Sequence, residues 1–105
     1  MPLEDHLLPG EEVQFRSTTR VKYGGKDYEV VVTNKRLILY ARRGLVFKSD
    51  DVITQKLDEI QTIKYKEKGI IGKKGIVEVH GKTIMRLEGP ASEMKPLYQR
   101  LLGFL

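Results

Sequence analysis

The sequence predicts a mainly β protein in which about seven strands precede one α-helix, and three patterns carry this prediction. Apolar and polar residues alternate between Glu12 and Tyr23, which is the period of a half-buried strand. Two β-rich stretches flank Asn34-Lys35, a pair that favours a tight hairpin because Asn tolerates a left-handed backbone. Apolar residues near the C-terminus recur at helical spacing. Extended segments at intervals of about ten residues favour a barrel or a sandwich.

The first half of the chain is predicted to form three strands joined by two tight turns. Gly24-Gly25 supplies the first turn and Asn34-Lys35 the second. Within each strand, three apolar residues of one parity predict the inward face. These residues are Val13, Phe15 and Val21, then Tyr28, Val30 and Val32, then Leu37, Leu39 and Ala41. Arg42-Arg43-Gly44 ends the third strand.

The second half is predicted to contain shorter extended segments separated by turns and loops. The extended segments are 45–48, 52–57, 60–65, 76–80 and 83–88. The residues between them are rich in Gly and Asp, which favour turns because they adopt unusual backbone angles or bond to their own backbone. These turns and loops are Asp50-Asp51, Asp58-Glu59, 69–75 and Gly81-Lys82.

The C-terminal segment changes from the period of a strand to that of a helix. Six apolar residues fall at helical spacing and predict one buried face. They are Met94, Leu97, Tyr98, Leu101, Leu102 and Leu105. Gly89-Pro90 marks the start, and Ser92 is a candidate cap for a helix over about 92–103. Because Pro96 lacks an N–H and is best tolerated in a first turn, the regular helix is expected to begin near 93–96.

Charge is unevenly distributed along the chain. Nineteen Lys and Arg residues oppose fourteen Asp and Glu residues, for a net charge of +5. The first fifteen residues contain four of the acids and no Lys or Arg, so the remainder is strongly basic. Such a surface attracts anionic partners, namely lipid headgroups, nucleic acid or an acidic protein face. A net charge of this size is also common in small domains for solubility alone.

The residue inventory argues against catalysis and against a cofactor. The absence of cysteine excludes disulfides, thiolate metal sites and cysteine nucleophiles. His6 and His80 are the only histidines, neither has an orienting carboxylate at a recognisable spacing, and His6 lies in a segment expected to be mobile. We therefore expect no enzyme, no cofactor, no metal site and no small-molecule substrate. With no signal peptide and no apolar run of about 18 residues, a cytoplasmic location is expected.

Three stretches resemble the bacterial and archaeal pleckstrin-homology-like (PH-like) domains, which are similar to GRAM domains. They are Leu8-Pro9-Gly10-Glu11-Glu12, 30–40 and 57–63. The resemblance covers nearly the whole chain. It implies a seven-stranded, partly open antiparallel barrel capped by a C-terminal helix, in a single domain over 1–105 with strands at about 12–88. It also implies a noncatalytic binding module.

The loop at 69–75 combines glycines with lysines and a small apolar tip. It fails the P-loop pattern, which needs four residues between the glycines and a Ser or Thr after the lysine. Five lysines in and before it predict either an anionic contact or a solvated edge that discourages strand pairing. They are Lys64, Lys66, Lys68, Lys73 and Lys74. The tip, Ile70-Ile71, suits insertion at a lipid interface, but it could equally pack into the barrel or against a neighbouring subunit.

Charge, and no family motif, selects the candidate residues for binding an anion or a partner. They are Lys22, Lys26, Arg42, Arg43, Lys66, Lys68, Lys73 and Lys74. In eukaryotic PH domains, bases near the end of the first strand and in the second strand bind the phosphoinositide headgroup. Here Asp27 and Glu29 occupy the second strand, so specific phosphoinositide recognition is not expected.

The predicted function is a binding or adaptor module. Its partner is expected to be another protein or a second copy of the chain, with peripheral association to an anionic membrane as a further option. The alternative is a basic nucleic-acid-binding β-barrel, in which some of the five tyrosines would stack on bases. Salt-dependent binding to oligonucleotides would separate the two.

Overall fold

A computed structural model describes residues 3–44 and 49–105 as one antiparallel sheet of seven strands with a C-terminal helix. The elements are β1 (Val13–Tyr23), β2 (Lys26–Thr33), β3 (Arg36–Arg43), β4 (Ser49–Lys56), β5 (Thr62–Lys68), β6 (Lys74–His80), β7 (Ile84–Pro90) and α1 (Ala91–Leu102), with short 3₁₀ helices at Glu4–His6 and Leu57–Glu59. The strand order is β4-β3-β2-β1-β7-β6-β5, so β4 and β5 are the edges of an unclosed sheet. This confirms the predicted fold class; the strand predicted at 45–48 lies outside the described residues.

Both predicted hairpin turns of the first half are present, but the second works differently from the prediction. Gly24 and Gly25 have φ angles of 60° and 80°, which glycine adopts without strain. Asn34 is not left-handed, since no non-glycine residue of the described chain has a positive φ. Its side-chain oxygen instead accepts from the Glu12 N–H at 2.8 Å, and its Nδ2 donates to the Gly10 carbonyl at 3.2 Å. Asn34 therefore links residues 10–12, which lead into β1, to the β2–β3 turn through two hydrogen bonds.

The predicted inward face of β1 is correct for Phe15 and Val21 and wrong for Val13. Phe15 and Val21 pack in the main core, whereas Val13 packs on the opposite side of the sheet. A register shift between Val13 and Phe15 causes the difference, because they pair with the adjacent residues Thr33 and Val32. An extra residue of this kind is a β-bulge, which reverses the face that the following side chains occupy.

Asp50-Asp51 was predicted as a turn, and this is wrong, because both residues lie inside β4. Asp50 is opposite Arg42 and Asp51 opposite Ala41 in the β3–β4 ladder. The Arg43 Nε atom lies 2.7 Å from the Asp51 Oδ2 atom, and the Arg42 Nε atom lies 3.8 Å from the Asp50 Oδ1 atom. Cross-strand ion pairs thus outweigh the low strand propensity of Asp.

The helix α1 begins earlier than its sequence predicts. Its N-cap is Pro90, and Ser92 makes no capping bond, so the predicted cap is wrong. The Ala91 N–H donates to the Lys73 carbonyl at 2.9 Å, which fixes the start of the helix on the loop before β6. Pro96 lies inside the helix rather than near its beginning. No helix within 3–44 and 49–105 is long and apolar enough to cross a membrane.

The core lies between the inner face of the sheet and α1. Met94, Leu97 and Leu101 of α1 are buried there, whereas Leu102 is 51% exposed, so the predicted face was one residue too wide. Gly75 and Gly89 lie opposite each other on β6 and β7 beneath Met94. A Cβ atom on Gly75 would lie 2.7 Å from the Met94 Cβ atom. The two glycines therefore allow α1 to approach the sheet closely.

The N-terminal segment covers the outer face of β2 and β3. Leu3 is 1% exposed and packs with Val31, Ile38 and Tyr40. The His6 Nε2 atom lies 2.9 Å from the Asp50 Oδ2 atom. The expectation of a mobile segment around His6 is therefore wrong, because this segment has a small apolar core of its own.

Candidate functional site

The outer face of β5, β6, β7 and β1 is strongly basic. Alternate residues of these strands enter the core, among them Tyr65, Val77, Leu87 and Val21, so the residues between them point outward. The outward residues include seven Lys or Arg and two Glu, which we call the basic face: Arg20, Lys22, Lys64, Lys66, Lys68, Lys74, Arg86, Glu78 and Glu88.

The ladders place bases from distant parts of the sequence in one row. Lys66 on β5 lies opposite Ile76 on β6, and Ile76 lies opposite Glu88 on β7. Glu88 in turn lies opposite Lys22 on β1. Because β7 lies between β6 and β1, this row crosses four strands. It joins Lys22, one of the predicted contact residues, to the lysines of β5.

Two glutamates neutralise part of the charge of the basic face. The Lys74 Nζ atom lies 2.6 Å from the Glu88 Oε1 atom, and Arg86 lies within 4 Å of both Glu78 and Glu88. The hydrogen bond with His80 lowers the pKa of Glu78, and the hydrogen bond from Lys74 lowers the pKa of Glu88. Both carboxylates are ionised at neutral pH, and five positive charges remain in excess.

Ile76 is a buried apolar residue in the middle of the basic face. It points away from the main core, yet it is only 1% exposed. Its neighbours on this face are Lys66 and Glu88 across the ladders and Lys74 and Glu78 along β6. The methylene stems of these long side chains therefore cover Ile76 and leave their charged ends in water.

The β5–β6 loop carries an exposed apolar tip, formed by Ile70 and Ile71. Their side chains are 94% and 95% exposed, the largest exposures among the large apolar residues of the described chain. Gly69 and Gly72 on either side have φ angles of 100° and 62°, which let the chain turn sharply before and after the tip. Of the alternatives left open by the sequence, packing into the barrel is excluded.

Lysines surround the base of the apolar tip. Lys68 and Lys74 lie opposite each other where β5 and β6 enter the loop. The Lys73 Nζ atom lies 3.9 Å from the Glu67 Oε1 atom, but Lys73 is more than half exposed, so this pair contributes little to stability. The loop and the first turn of α1 line a cleft of about 590 Å³, formed by Gly72, Lys73, Lys74, Gly89, Pro90, Ala91 and Ser92.

The structure brings together five of the eight predicted contact residues. Lys22, Lys66, Lys68 and Lys74 belong to the basic face, and Lys73 lies in the adjoining loop. The predicted contact residues did not include Lys64, Arg86 and Arg20, which complete the face, although Lys64 was among the five lysines noted around the loop. The alternation of Arg86 with Met85 and Leu87 predicts that it points outward, but only the strand order reveals its neighbours.

Two predicted contact residues on β3 are engaged within the fold. The Arg43 guanidinium bonds to Asp51 and lies 5.0 Å from the centre of the Tyr28 ring. The hydrogen bond to Asp51 also raises the pKa of Arg43. Arg42 lies 3.8 Å from Asp50. Both arginines thus face acids of β4 and are not part of the basic face.

Lys26 lies opposite Tyr23 in the β1–β2 ladder, on the side of the sheet that faces the core. It follows the Gly24-Gly25 turn at the end of β1. Lys26 has the parity of Tyr28 and Val30, which pack in the main core, whereas Lys22 has the parity of the outer face. Lys26 is therefore not part of the basic face, although Arg20 and Lys22 from the same hairpin are.

Comparison with known proteins agrees with this architecture. The model of a family described as bacterial PH domain matches residues 7–99, from the segment before β1 into α1. No curated protein matches the chain, and neither does any solved structure. PH domains are in general noncatalytic binding modules, whereas the similarity to GRAM domains remains a resemblance. The match covers most of the chain and agrees with the strand order and the C-terminal helix, so the protein belongs to the bacterial PH domain family.

Proposed function

We propose that this PH domain binds anionic membrane surfaces peripherally, with the apolar tip inserted among the lipids and the lysines around it on the headgroups. The near-complete exposure of Ile70 and Ile71 carries the proposal. Large apolar side chains gain roughly 1.5–3 kcal/mol each when fully buried. An interfacial segment with apolar residues beside lysines combines this gain with attraction to anionic lipid.

The charge around the tip supports an electrostatic contribution. Lys68, Lys73 and Lys74 lie at the loop, and Lys66 follows on the same face. Each base close to an anionic membrane contributes about 1 kcal/mol. Salt weakens this term, since the screening length falls from about 10 Å at 0.1 M to about 3 Å at 1 M. Binding is therefore expected to need anionic lipid and to fall as salt rises.

The proposed contact depends on surface charge rather than on one headgroup. Glu29 on β2 accepts a hydrogen bond from the Arg16 guanidinium at 2.8 Å, so its carboxylate neutralises the charge of Arg16. Asp27 lies opposite Lys22 in the β1–β2 ladder. These acids lie where eukaryotic PH domains have bases, and they argue against a phosphoinositide pocket.

The nucleic-acid alternative receives less support. Stacking on unpaired bases requires exposed aromatic rings. All five tyrosines are buried or half-buried. Tyr65 stacks on Tyr98 on the core side, with 5.2 Å between the ring centres. The basic face thus has positive charge but no exposed tyrosine ring on which a base could stack.

Co-sedimentation with vesicles tests the proposal. The chain would be mixed with phosphatidylcholine vesicles and with vesicles containing phosphatidylserine, at about 50 mM and about 300 mM salt. Two double variants test the two contributions separately. Ile70→Ser/Ile71→Ser removes the apolar insertion, and Lys73→Glu/Lys74→Glu removes the electrostatic attraction at the loop. Ile84→Ser is the matched control, because Ile84 is 59% exposed but lies at the far end of β7.

We expect binding to phosphatidylserine vesicles that weakens with salt and is lost or strongly reduced in both double variants, while Ile84→Ser binds normally. An oligonucleotide in place of vesicles provides a comparison for the alternative function. Absence of binding to every vesicle mixture, or equal binding by the Ile70→Ser/Ile71→Ser variant, would overturn the proposal.

A further inference from the structure

The two edges of the sheet differ in their protection against strand pairing. Lysines on an edge strand are a common device against unwanted pairing. On β5 they recur at Lys64, Lys66 and Lys68. On β4 the only lysine is Lys56, at its last position, and the strand contains no proline. β4 also pairs with β3 residue for residue over all eight positions, without a bulge. By these criteria β4 is an open edge and β5 is a protected one.

The β4 edge is also suited to a partner strand in its composition. Its centre, Val52, Ile53 and Thr54, consists of β-branched residues, which favour strands. Among the described residues, the backbone of β4 has no strand or turn partner besides β3. Leu8, which is 48% exposed, and Lys56 line a cleft of about 460 Å³ between the β2–β3 turn and the C-terminal end of β4. An apolar and backbone surface is thus available there.

We propose that β4 pairs with β4 of a second copy of this chain, antiparallel, about a two-fold axis at Ile53. The sheets of the two copies would join into one continuous sheet. The backbone N–H and C=O groups on the β4 edge of each copy would then be hydrogen-bonded. The interface is isologous, so assembly closes at a dimer. This inference concerns the edge opposite β5 and does not depend on the proposed membrane contact.

The charges of β4 select the register. With the axis at Ile53, Asp50 of each copy lies opposite Lys56 of the other, which gives two symmetric pairs of opposite charge. Within its own chain Asp50 also contacts His6 at 2.9 Å and lies 3.8 Å from Arg42, so Lys56 of the second copy would join an existing cluster. An axis at Val52 would place Asp50 opposite Thr54, and an axis at Thr54 would place Lys56 opposite Val52. Opposite charges across strands are stabilising. The register at Ile53 is therefore the complementary one of these three.

The faces of the sheet are consistent with the same register. Asp50 and Lys56 have one parity on β4, the parity of the outer face, since Ile53 packs toward the main core. A two-fold axis perpendicular to the sheet joins outer face to outer face, which requires paired residues of equal parity. Lys56 is exposed and has no ion-pair partner within 4 Å among the described residues, so its ammonium group is available.

Sedimentation equilibrium of the chain tests the dimer without lipid, at roughly 10 µM to 1 mM chain, a range that reports weak and moderate dissociation constants. We expect a monomer–dimer equilibrium. Thr54→Lys adds the protection that β5 has, at an exposed position, and is expected to weaken the dimer at least tenfold. Thr62→Lys makes the same change on the β5 edge and is the matched control.

A charge exchange tests the register. Lys56→Glu and Asp50→Lys, each alone, should weaken the homodimer, because like charges then face each other. Mixing the two variants should restore a heterodimer, since both cross pairs regain opposite charges. Circular dichroism confirms that each variant is folded.

A chain that stays monomeric over the whole concentration range would overturn the proposal. A dimer unaffected by Thr54→Lys would also overturn it, since the interface would then lie elsewhere. Species that keep growing with concentration would indicate a head-to-tail contact and contradict the two-fold one.

Discussion

The Lys74 Nζ atom lies 2.6 Å from the Glu88 Oε1 atom, so one of the lysines at the base of the apolar tip already has an anion beside it. We expect Glu88→Gln to strengthen binding to phosphatidylserine vesicles. Removing one negative charge next to the lysines adds about 1 kcal/mol at low salt, or up to about fivefold in affinity. Vesicle titration at about 50 mM salt measures the change.

Asp58→Asn is the control for this prediction. It makes the same change in net charge, but Asp58 lies before β5, at the opposite end of that strand from the loop. We expect little effect there. Equal gains from both variants would mean that net charge, and not the basic face, governs binding.

A second prediction concerns acid stability and the pair Glu11–Arg36. Two guanidinium nitrogens lie 2.8 Å and 2.9 Å from the two Glu11 oxygens, and the Thr33 hydroxyl donates to the same carboxylate. The hydrogen bonds from Arg36 lower the pKa of Glu11 to about 2. The unfolded chain, with an ordinary pKa, therefore binds more protons between about pH 4.5 and about pH 2.

The stability that Glu11 contributes is thus complete above about pH 4.5 and is lost as the pH falls toward about 2. We expect Glu11→Gln to lower the free energy of unfolding by roughly 3 kcal/mol at pH 7, since each unit of pKa shift corresponds to about 1.4 kcal/mol. Urea unfolding at several pH values should show the deficit shrink in acid. Glu12→Gln makes the same change in net charge at an exposed neighbour and is the matched control. A deficit in Glu11→Gln that stays constant with pH would refute the assignment.

A third prediction orders three glycines by the space around them. A Cβ on Gly75 would meet the Met94 Cβ at 2.7 Å, whereas a Cβ on Gly89 would meet the more flexible Met94 Sδ at 2.9 Å. On Gly103 the nearest atom is the Arg100 carbonyl oxygen at 3.4 Å. We expect Gly75→Ala to destabilise by about 1–3 kcal/mol, Gly89→Ala by less, and Gly103→Ala hardly at all.

Thermal unfolding of the three alanine variants measures this order. A Gly75→Ala variant as stable as the wild type would show that α1 can shift away from β6 without loss. That result would contradict the close approach of helix and sheet.

A fourth prediction separates two adjacent leucines of α1. Leu101 is fully buried and Leu102 is 51% exposed. Leu101→Ala should lower the free energy of unfolding by about 2–5 kcal/mol, because it leaves a cavity in the core. Leu102→Ala should cost about 0.5 kcal/mol or less. Chemical denaturation provides both values, and similar losses would mean that the C-terminal part of α1 packs differently.

The strands were predictable where their two faces differ, as on β1 beyond its bulge and on β6. In the run from Val30 to Val32, both parities are apolar, and periodicity alone cannot say what covers the second face. Leu3 covers it, from nearly thirty residues earlier in the chain. Asp50 and Asp51 were assigned to a turn because propensity is local, whereas the arginines that hold them lie on the neighbouring strand.

The sequence predicts several residues of the candidate site, but it does not predict which strands the site spans. The parity of Lys66 and Lys68 predicts their common face. That Lys22 shares a row with Lys66 follows only from the strand order, in which β7 lies between β1 and β6. Lys26 is outside this group because it has the parity of Tyr28 and Val30, which pack in the core.

The ladder between β1 and β7 comprises one residue pair among the described residues, Lys22 opposite Glu88. The β1–β4 and β5–β7 ladders thus meet at a seam with little backbone bonding, and we expect its amides to exchange with deuterium sooner than those of β2 or β6. The aromatic stack of Phe104 on Phe15, with ring centres 5.8 Å apart, links the C-terminal end of the chain to β1. The basic face crosses the same seam from Lys66 to Lys22. An anionic surface bound along that row would therefore hold β1 and β7 together and slow the local opening between them.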